Sequence, residues 1–507
     1  MTSGTERSPT GESRFALLVT LAWTLATLPR LLTHELWRDE AWLWLVALDS
    51  HSLPDLFQPL ARSGQGYLFP ILCFVARQFS ESPRAMQFLH LAVATGATFV
   101  LARWAPFTRL ERVLLLLGYF TFYEYAVISR HYVVGMLLLW LACIFASRRQ
   151  SAIGVGIALG LACQTTVYAF IVAIAILCGW MLDRRLRRSE LEPLSRRDVA
   201  IGLTMGIAGA IAGLVQLIPS AGTSFAPGWK LAWNAELALK VLRIPWRVFM
   251  PLPRLQMSGW NLNMFDAWPL VEAAGGAALL LITIAMLARR KVALATFSIG
   301  AAGLLAFGYA KFVGEMRHGG HLVLLFVAAI WLAGGLESRA ETISWRSYVF
   351  KAMLVLQCLA AMSASWVDLR HPFSTAPLAV ALLRREGLDR LPLLGHREPP
   401  AASIALALGR PLFAPSRGIY AKYPDWGPTQ REMGNPQLRC VARALARRET
   451  QDIALVINRA LPEWGELDAA GSVSGSICRS EDYHLYRLRY DRLDATESLA
   501  QCDAMGR

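Results

Sequence analysis

Eleven long apolar runs, nearly free of charged residues, recur along the first 370 residues of this 507-residue chain and limit its fold more than any other feature. They lie at 14–33, 86–102, 111–128, 131–147, 151–164, 167–182, 199–219, 268–288, 293–312, 320–336 and 348–366. Each run approaches the ~20 apolar residues with which a helix crosses a bilayer. Because backbone polar groups must be satisfied within lipid, and the runs are too long for barrel strands, we predict an α-helical polytopic membrane protein with about 11–13 transmembrane helices.

The composition supports this prediction. Hydrophobic residues make up 55% of the chain and charged residues 17%, and the mean hydropathy is +0.38. Soluble proteins contain ~25% charged residues, so these values exclude a disordered chain and argue against a water-soluble enzyme. The net charge of +14 would suggest a nucleic-acid partner in a soluble protein. Here the arginines cluster between apolar runs, as the positive-inside rule describes, and no nucleic-acid partner is expected.

These basic clusters also predict the orientation. They lie near residues 103–112, 148–149, 184–197, 289–291 and 339–346. If all of them face the cytoplasm, the runs alternate from a cytoplasmic N-terminus and the C-terminus lies outside, as in a multi-pass protein of the inner membrane. The apolar segment 66–79 is short and would invert every later loop, so we interpret it as interfacial or re-entrant. The main outer loops are then 34–65, with amphipathic helices on the membrane surface, and the Trp-rich 220–267.

The composition and the hydrophobic pattern of the chain change after residue 370. Pro, Arg and Asp become more frequent, and short strand-like runs alternate with helix-like stretches. We therefore predict a transmembrane domain over 1–370 and a small extracytoplasmic α/β domain over 371–507. The eight cysteines have no zinc spacing, and in an oxidising compartment a Cys440–Cys478 bridge is one alternative.

Three clusters of charged residues could carry chemistry. The first is His34-Glu35-Leu36-Trp37-Arg38-Asp39-Glu40-Ala41, the second lies within 122–132, and the third within 311–321. Ionisable residues at a membrane are costly and tend to be functional, although a solvated helix start or helix caps would also account for them. The Arg and His residues of the third cluster favour an anion such as phosphate. Its two histidines have no clear third partner, so no metal site is predicted, and a divalent metal ion stays an open alternative.

These residues resemble the GT-C superfamily of integral-membrane glycosyltransferases, especially bacterial members akin to protein O-mannosyltransferases and lipid A aminoarabinose transferases. The resemblance rests on Arg38-Asp39-Glu40-Ala41, Tyr67-Leu68-Phe69-Pro70, Arg130-x-Tyr132 and Arg317-His318-x-x-His321. The family often has a Tyr-Thr-His-like element at an outer turn. This chain has Gln164-Thr165-Thr166-Val167-Tyr168 there, which removes a candidate donor-binding histidine.

The resemblance implies an enzyme that transfers a sugar from a polyprenyl-phosphate donor, on the outer face and with inversion, to a glycan, lipid or protein acceptor. Asp39 would be the general base for the acceptor hydroxyl, with Glu40 supporting the acceptor or orienting Arg38. The candidate residues for binding the donor phosphate are Arg317, His318, His321, Arg130 and Lys311. The other candidate substrate-binding residues are Arg38, Glu124 and Tyr132.

Two other functions stay open at this stage. One is a transporter or flippase for lipid-linked glycans, and the other is a non-catalytic membrane partner. Transporters typically have ionisable groups in the middle of spans and internal repeats. Here the charges gather on one side, the halves do not repeat, and a folded C-terminal domain follows. This asymmetry favours an enzyme.

Overall fold

The computed structural model describes residues 9–224, 228–254, 260–336 and 344–493, and the part up to Arg370 is helical. Its α-helices are α1 (Pro9–Thr33), α2 (Arg38–Asp49), α3 (Leu53–Leu60), α4 (Leu68–Ala76), α5 (Arg84–Trp104), α6 (Arg109–Leu116), α7 (Tyr132–Ile144), α8 (Ala152–Ala162), α9 (Val167–Leu186), α10 (Arg196–Leu217), α11 (Ala235–Phe249), α12 (Pro269–Leu287), α13 (Lys291–Ala310), α14 (Met316–Gly319), α15 (His321–Leu332) and α16 (Trp345–Arg370). Two π-helical turns, Tyr119–Glu124 and Phe145–Arg149, follow α6 and α7.

Seven of the described helices are long and apolar enough to cross a membrane. They are α1, α5, α9, α10, α12, α13 and α16. The predicted runs 131–147, 151–164 and 320–336 form the shorter helices α7, α8 and α15, of 13, 11 and 12 residues. The predicted class, a mostly helical multi-pass membrane protein, is confirmed, and several runs are shorter in the structure than a full crossing requires.

The predicted run 111–128 does not form one helix. Thr108 caps the start of α6, and Gly118 then takes an extended conformation that ends it. A π-helical turn and irregular backbone follow, and nearly every side chain from here to α7 is buried. The run is apolar because it lies inside the protein, and its course brings Glu124 and Arg130 into the interior.

The segment 66–79 contains only the short helix α4. Its nine residues extend about 14 Å, less than half of the ~30 Å hydrocarbon core of a bilayer. The helix is therefore too short to cross a bilayer by itself, and the interfacial or re-entrant position of the segment stays a prediction.

Helix α2 differs from the prediction of an amphipathic helix on the membrane surface. All its residues from Glu40 to Ala47 are buried. Leu45 belongs to a hydrophobic core of the C-terminal domain, and the indole of Trp42 donates to the carbonyl oxygen of Pro424 at 2.9 Å. The prediction was wrong because the C-terminal domain covers the face of α2 that would otherwise meet water.

The C-terminal domain is a mixed sheet with helices on both faces. Its elements are α17 (Ala376–Arg385), β1 (Leu393–His396), α18 (Glu398–Leu408), β2 (Leu412–Ala414), β3 (Ile419–Ala421), α19 (Asn435–Glu449), β4 (Ile453–Ile457), β5 (Leu467–Val473) and β6 (Tyr483–Leu488). The strand order is β3-β2-β1-β4-β6-β5, and β1 is parallel to β2 and β4, while the other pairs are antiparallel. Helices α17 and α18 pack on one face and α19 on the other. The small α/β domain is thus confirmed, and residues 494–507 of the predicted range lie outside the described residues.

The predicted Cys440–Cys478 bridge is wrong. Cys478 is a free thiol, whereas Cys440 is disulfide-bonded. The two cysteines lie in different hydrophobic cores, because Cys440, on α19, packs in the core between this helix and the sheet, whereas Cys478 packs with Trp37 and Phe373 near the helical domain.

Glycines let α8 and α10 approach each other closely. A Cβ atom at Gly156 would overlap the carbonyl oxygen of Gly202, and one at Gly209 would overlap the backbone of Gly160. Such contacts between small residues are typical of helices that associate in lipid, where van der Waals packing replaces the hydrophobic driving force. Most of the remaining surface of α10 is exposed, so this seam is its main attachment.

We expect Gly156→Ala to destabilise the helical domain by about 1–3 kcal/mol, because the added methyl group forces α8 and α10 apart. Gly206→Ala on α10 is the matched control, since its Cβ would lie 3.5 Å from the Cα of Gly156, an ordinary contact. Thermal unfolding of both variants in detergent compares them. Equal midpoints for the two variants would contradict the close approach.

Candidate active site

Asp39 lies in the first turn of α2, where a carboxylate is favoured by the helix dipole. Its Oδ2 is 3.0 Å from Nη1 of Arg130, and its Oδ1 is 3.8 Å from Nε of Arg38. Burial raises the pKa of Asp39, but the charges of Arg130, Arg38 and Arg317 outweigh it and lower the pKa below its usual value. With 24% of its side chain exposed, Asp39 is an ionised carboxylate that a substrate could reach.

Glu40 points the other way and is fully buried. Its Oε1 accepts from the backbone N–H of Ser129 at 2.5 Å, and its Oε2 accepts from that of Trp37 at 3.3 Å. His34 Nε2 lies 3.1 Å from the same Oε2. Glu40 therefore connects the first cluster to the second and fixes the backbone next to Asp39 and Arg130.

His34 stabilises this buried carboxylate. Its ring lies between Glu40 and Asp368 of α16, with Nδ1 3.4 Å from Asp368 Oδ2. Burial alone would lower the pKa of His34, but the two carboxylates raise it to about 10. A protonated His34 thus compensates the charge of Glu40 and fixes the chain between α1 and α2.

Two aromatic residues hold Arg317. Its guanidinium lies 5.3 Å from the ring of Trp37 and 4.8 Å from that of Trp260, which belongs to the long loop 220–267. The hydroxyl of Tyr125 donates to the carbonyl oxygen of Arg317 at 2.5 Å. The charge of Arg317 acts on Asp39, so the first and third clusters meet here. Its pKa lies above the usual value, because nearby acidic groups outweigh the effect of burial, and the group is a fixed cation.

His318 and His321 pack among tyrosines next to Arg317. His318 Nδ1 accepts from the backbone N–H of Glu315 at 2.8 Å, and His321 Nδ1 lies 3.0 Å from the carbonyl oxygen of His318. Tyr132 from the second cluster contacts both imidazole rings at 5.9 Å between centroids. Tyr168, from the turn that departs from the family pattern, contacts them at 5.0 and 5.5 Å.

Two further predicted residues, Glu124 and Lys311, each lie next to a tryptophan. The carboxylate of Glu124 is buried and accepts from the hydroxyl of Tyr119 and the indole of Trp260, both at 2.9 Å. It therefore orients the tryptophan beneath Arg317. Lys311 follows α13, and its ammonium lies 5.2 Å from the ring of the exposed Trp229.

No group of three or more His, Cys, Asp or Glu residues that could hold a metal ion occurs among the residues described. Three ring nitrogens of His318 and His321 already have neighbours within hydrogen-bonding distance. The carboxylate of Glu315 caps the short helix that carries His318, and the carboxylate of Asp39 is surrounded by arginines. This set of donors suits an anion rather than a metal cation.

Several polar atoms in these clusters are buried and have no hydrogen-bond partner among the described residues. They are Nε1 of Trp37, Oγ of Ser129, Nε of Arg130, Nδ1 of His131, Oη of Tyr168 and Nε of Arg317. Buried polar groups are nearly always satisfied, and each exception calls for an explanation. Two of these donors belong to Arg130 and Arg317, whose charges act on Asp39, so this part of the protein has hydrogen-bonding capacity that the described side chains do not use.

The C-terminal domain supports the start of α2. Oε1 of Glu481 accepts from the backbone N–H of Arg38 at 3.0 Å, and its Oε2 accepts from the hydroxyls of Ser374 and Tyr483 at 2.9 and 2.6 Å. Glu35 accepts from the backbone N–H of Phe373 at 2.8 Å. Sequence reasoning missed Glu481, because a single glutamate more than 440 residues from its partner has no local signal.

Sequence reasoning also missed the aromatic side of the site. Trp37, Trp260 and Phe373 form a cluster in which the ring centroids are 4.7 to 6.3 Å apart. These residues come from the first loop, the long loop and the C-terminal domain. Trp37 lies within the first charged cluster and Trp260 within the Trp-rich loop, but neither pattern indicated that the two rings meet.

We expect the stability contributed by Glu481 to fall as pH rises. Burial raises its pKa from 4.5 to about 7, because it outweighs the hydrogen bonds that lower the pKa. Between these values the folded protein keeps a proton that the unfolded chain has lost, so stability declines through this window and levels off above it. Relative to Glu481→Gln, the wild type should lose roughly 3 kcal/mol on going from about pH 4.5 to about pH 8.

Thermal unfolding in detergent across this pH range measures the difference. Glu463→Gln, at an exposed position of the same domain, is the control and should follow the wild type. Parallel pH profiles for wild type and Glu481→Gln would show that Glu481 does not titrate in this window.

Comparison with known proteins gives one similar solved structure. No protein-family model matches the chain, and no curated protein matches it. The solved structure is described as the crystal structure of ArnT from Cupriavidus metallidurans bound to undecaprenyl phosphate. It is 12% identical, covers 93% of this chain and 97% of that chain, and has a TM-score of 0.45.

Proposed function

We propose that the protein is a membrane glycosyltransferase that transfers a sugar from a polyprenyl-phosphate donor to an acceptor hydroxyl, with inversion. The observation that carries this proposal is the meeting of an ionised carboxylate, Asp39, with the guanidinium groups of Arg130 and Arg317. A carboxylate can serve as general base, and fixed cations can bind a phosphate leaving group. The multi-pass helical domain explains how such an enzyme would reach a lipid-linked donor.

The donor phosphate would bind at the arginines. Arg130 is only 5% exposed, and its Nε, like that of Arg317, has no hydrogen-bond partner among the described residues. Phosphate oxygens would accept from these groups, and Arg–phosphate hydrogen bonds are strong because they are charge-assisted and often bidentate. Without donor, Arg130 pairs with Asp39. Binding of the phosphate would divide that charge between two anions and make Asp39 a stronger base.

The bonds, the proton and the charge of the proposed reaction balance as follows. The acceptor hydroxyl gives its proton to Asp39 while its oxygen forms a bond with the anomeric carbon. The bond between this carbon and the phosphate oxygen breaks, and its electron pair stays on the phosphate. Attack opposite to the leaving group inverts the anomeric centre. Arg130 and Arg317 stabilise the charge that develops on the leaving oxygen.

Two features of the C-terminal domain support an assignment of the side of the membrane. It lies at the same end of the helical domain as Asp39, because Glu481 holds the start of α2. Its residue Cys440 is disulfide-bonded, and disulfides persist in oxidising compartments. We therefore infer that the site faces the periplasmic or extracellular side of the inner membrane, with the N-terminus in the cytoplasm.

Asp39→Asn should reduce sugar transfer by about 10²–10⁴-fold, because the amide cannot accept the proton. Mass spectrometry of cell-envelope glycans and lipids, in cells without the gene and in cells complemented with each variant, identifies the product and measures its loss. Asp55→Asn in the same loop, whose carboxylate is exposed, is the matched control and should restore the product.

Full product with Asp39→Asn would exclude Asp39 as the base. Transport of a lipid-linked substrate without any glycosylated product would instead favour a transporter or flippase. Normal membrane insertion of the variant, measured by its yield and unfolding midpoint, ensures that the loss is chemical.

Arg317→Ala should lower the turnover about a hundredfold, equivalent to about 3 kcal/mol of transition-state stabilisation, because the leaving phosphate loses a fixed cation. Arg370→Ala is the matched control, since the Arg370 guanidinium also lies over a tryptophan, 3.8 Å from the ring of Trp366, but at the exposed end of α16. Binding of a polyprenyl phosphate in nanodiscs should weaken only in the Arg317 variant. Equal losses in both variants would contradict a phosphate site at Arg317.

A further inference from the structure

We propose that a groove between the first loop and the C-terminal domain binds an uncharged, hydroxyl-rich oligosaccharide. The groove has a volume of about 420 Å³, within the range of small-molecule sites in proteins. The residues that carry the argument are Asp49, Gln58, Arg62, Tyr420, Lys422 and Asp425. The groove is separate from the unsatisfied donors around Asp39. That it receives an acceptor rests on the proposed function, whereas sugar binding does not.

The walls of the groove come from two parts of the fold. Asp49 ends α2, Gln58 lies on α3, and Tyr420 lies on the edge strand β3. Lys422 Nζ lies 2.7 Å from Asp49 Oδ1, and Arg62 Nη1 lies 3.4 Å from Asp425 Oδ2. Both ion pairs cross the boundary between the parts, so the groove has its shape before a ligand arrives.

Holding the two parts together does not explain these ion pairs. Their side chains are about one third to one half exposed, and such pairs contribute little to stability. The buried contacts of Trp42 and Leu45 with the C-terminal domain already join the parts. The polar side chains of the groove are therefore available to serve a ligand.

The balance of charge indicates an uncharged ligand. Lys422 pairs with Asp49, and both Arg62 and Arg417 pair with Asp425. Nε of Arg417 also lies 3.0 Å from Oε2 of Glu398 behind the wall of the groove, so three carboxylates match the three cations. A phosphate or a strongly charged peptide would meet as much repulsion as attraction here. Adjacent donors and acceptors suit neighbouring hydroxyl groups of a sugar, because each hydroxyl both donates and accepts.

Tyr420 supplies an aromatic surface. Its side chain is 39% exposed although it stands on a strand, and its hydroxyl donates to Glu449 at 3.2 Å. The guanidinium of Arg448 lies 5.6 Å from the ring. Tyrosine combines a flat apolar surface with a polar tip, and such a ring, fixed in place, can pack against the C–H groups of a sugar while its neighbours bind the hydroxyls.

The position of the groove suits a long acceptor. Asp39 and Asp49 lie at opposite ends of α2, ten residues apart, which corresponds to about 15 Å along the helix. Because the middle of α2 is buried, an acceptor that reaches Asp39 with its terminal hydroxyl and also occupies the groove must be long enough to pass around the covered part of this helix. Binding at the groove would then contribute to acceptor affinity and leave the chemical step unchanged.

The experiment measures binding of the full-length protein in nanodiscs to an array of neutral and anionic oligosaccharides. We expect retention of neutral members and at least roughly tenfold weaker binding by Gln58→Ala and by Tyr420→Ala, equivalent to ~1.4 kcal/mol each. Tyr490→Ala is the matched control, because Tyr490 is 41% exposed in the same domain but does not line the groove. It should bind like the wild type.

Binding of no neutral oligosaccharide, equal binding by the double variant of Gln58 and Tyr420, or a preference for anionic glycans would each overturn the proposal. Asp39→Asn should keep the binding, since it lies about 15 Å away along α2. Binding by a protein that transfers no sugar would therefore refute the proposed function and leave the groove as a glycan site. Where transfer is observed, Tyr420→Ala should raise KM for the acceptor and keep kcat. An unchanged KM would overturn the acceptor role alone.

Discussion

The buried carboxylate of Glu40 is the interaction on which the site depends. It accepts from the backbone of Trp37 and Ser129, residues that are far apart in the sequence, and protonated His34 balances its charge. A carboxylate this deeply buried is tolerated only because each oxygen has partners, and removal of one partner would leave an uncompensated charge. Because Glu40 and Ser129 are adjacent in sequence to Asp39 and Arg130, this tie also brings the ion pair of the site together.

Helix α2 connects the site in the helical domain to the C-terminal domain. Its first N–H is bound by Glu481 and its last residue pairs with Lys422, so the C-terminal domain holds both ends. The middle of the helix is buried against that domain. The domain is therefore a structural component of the site at Asp39, although none of the charged residues at the centre of the site belongs to it.

Much of the fold could be predicted from local patterns, because membrane helices, and the alternation of strands and helices after residue 370, are recognisable from consecutive residues. The apolar run 111–128 led to the wrong prediction of a single helix, because a segment buried in protein is as apolar as one in lipid. Only Gly118 marks the point at which the helix ends. The prediction that α2 lies on the membrane surface was wrong, because the residues that bury it belong to the C-terminal domain and are far away in the sequence. The charged clusters were found individually, but their meeting depends on long-range contacts such as those of Trp260 and Glu481, which no local signal announces.

The arrangement of charge suits the proposed transfer throughout its course. Before reaction the negative charge is on Asp39, and the donor carries one charge on its phosphate diester. As the proton reaches Asp39, its carboxylate becomes neutral while the leaving phosphate gains a charge, so the total charge in the site does not change. Arg130 contacts Asp39 directly, and the charge of Arg317 also acts on it. In the proposed reaction the two arginines would stabilise negative charge on Asp39 and on the leaving phosphate, so neither needs to move far. Preorganised charges of this kind stabilise a transition state without reorganisation, which explains why Glu40, His34 and Glu481 are committed to holding α2 in place.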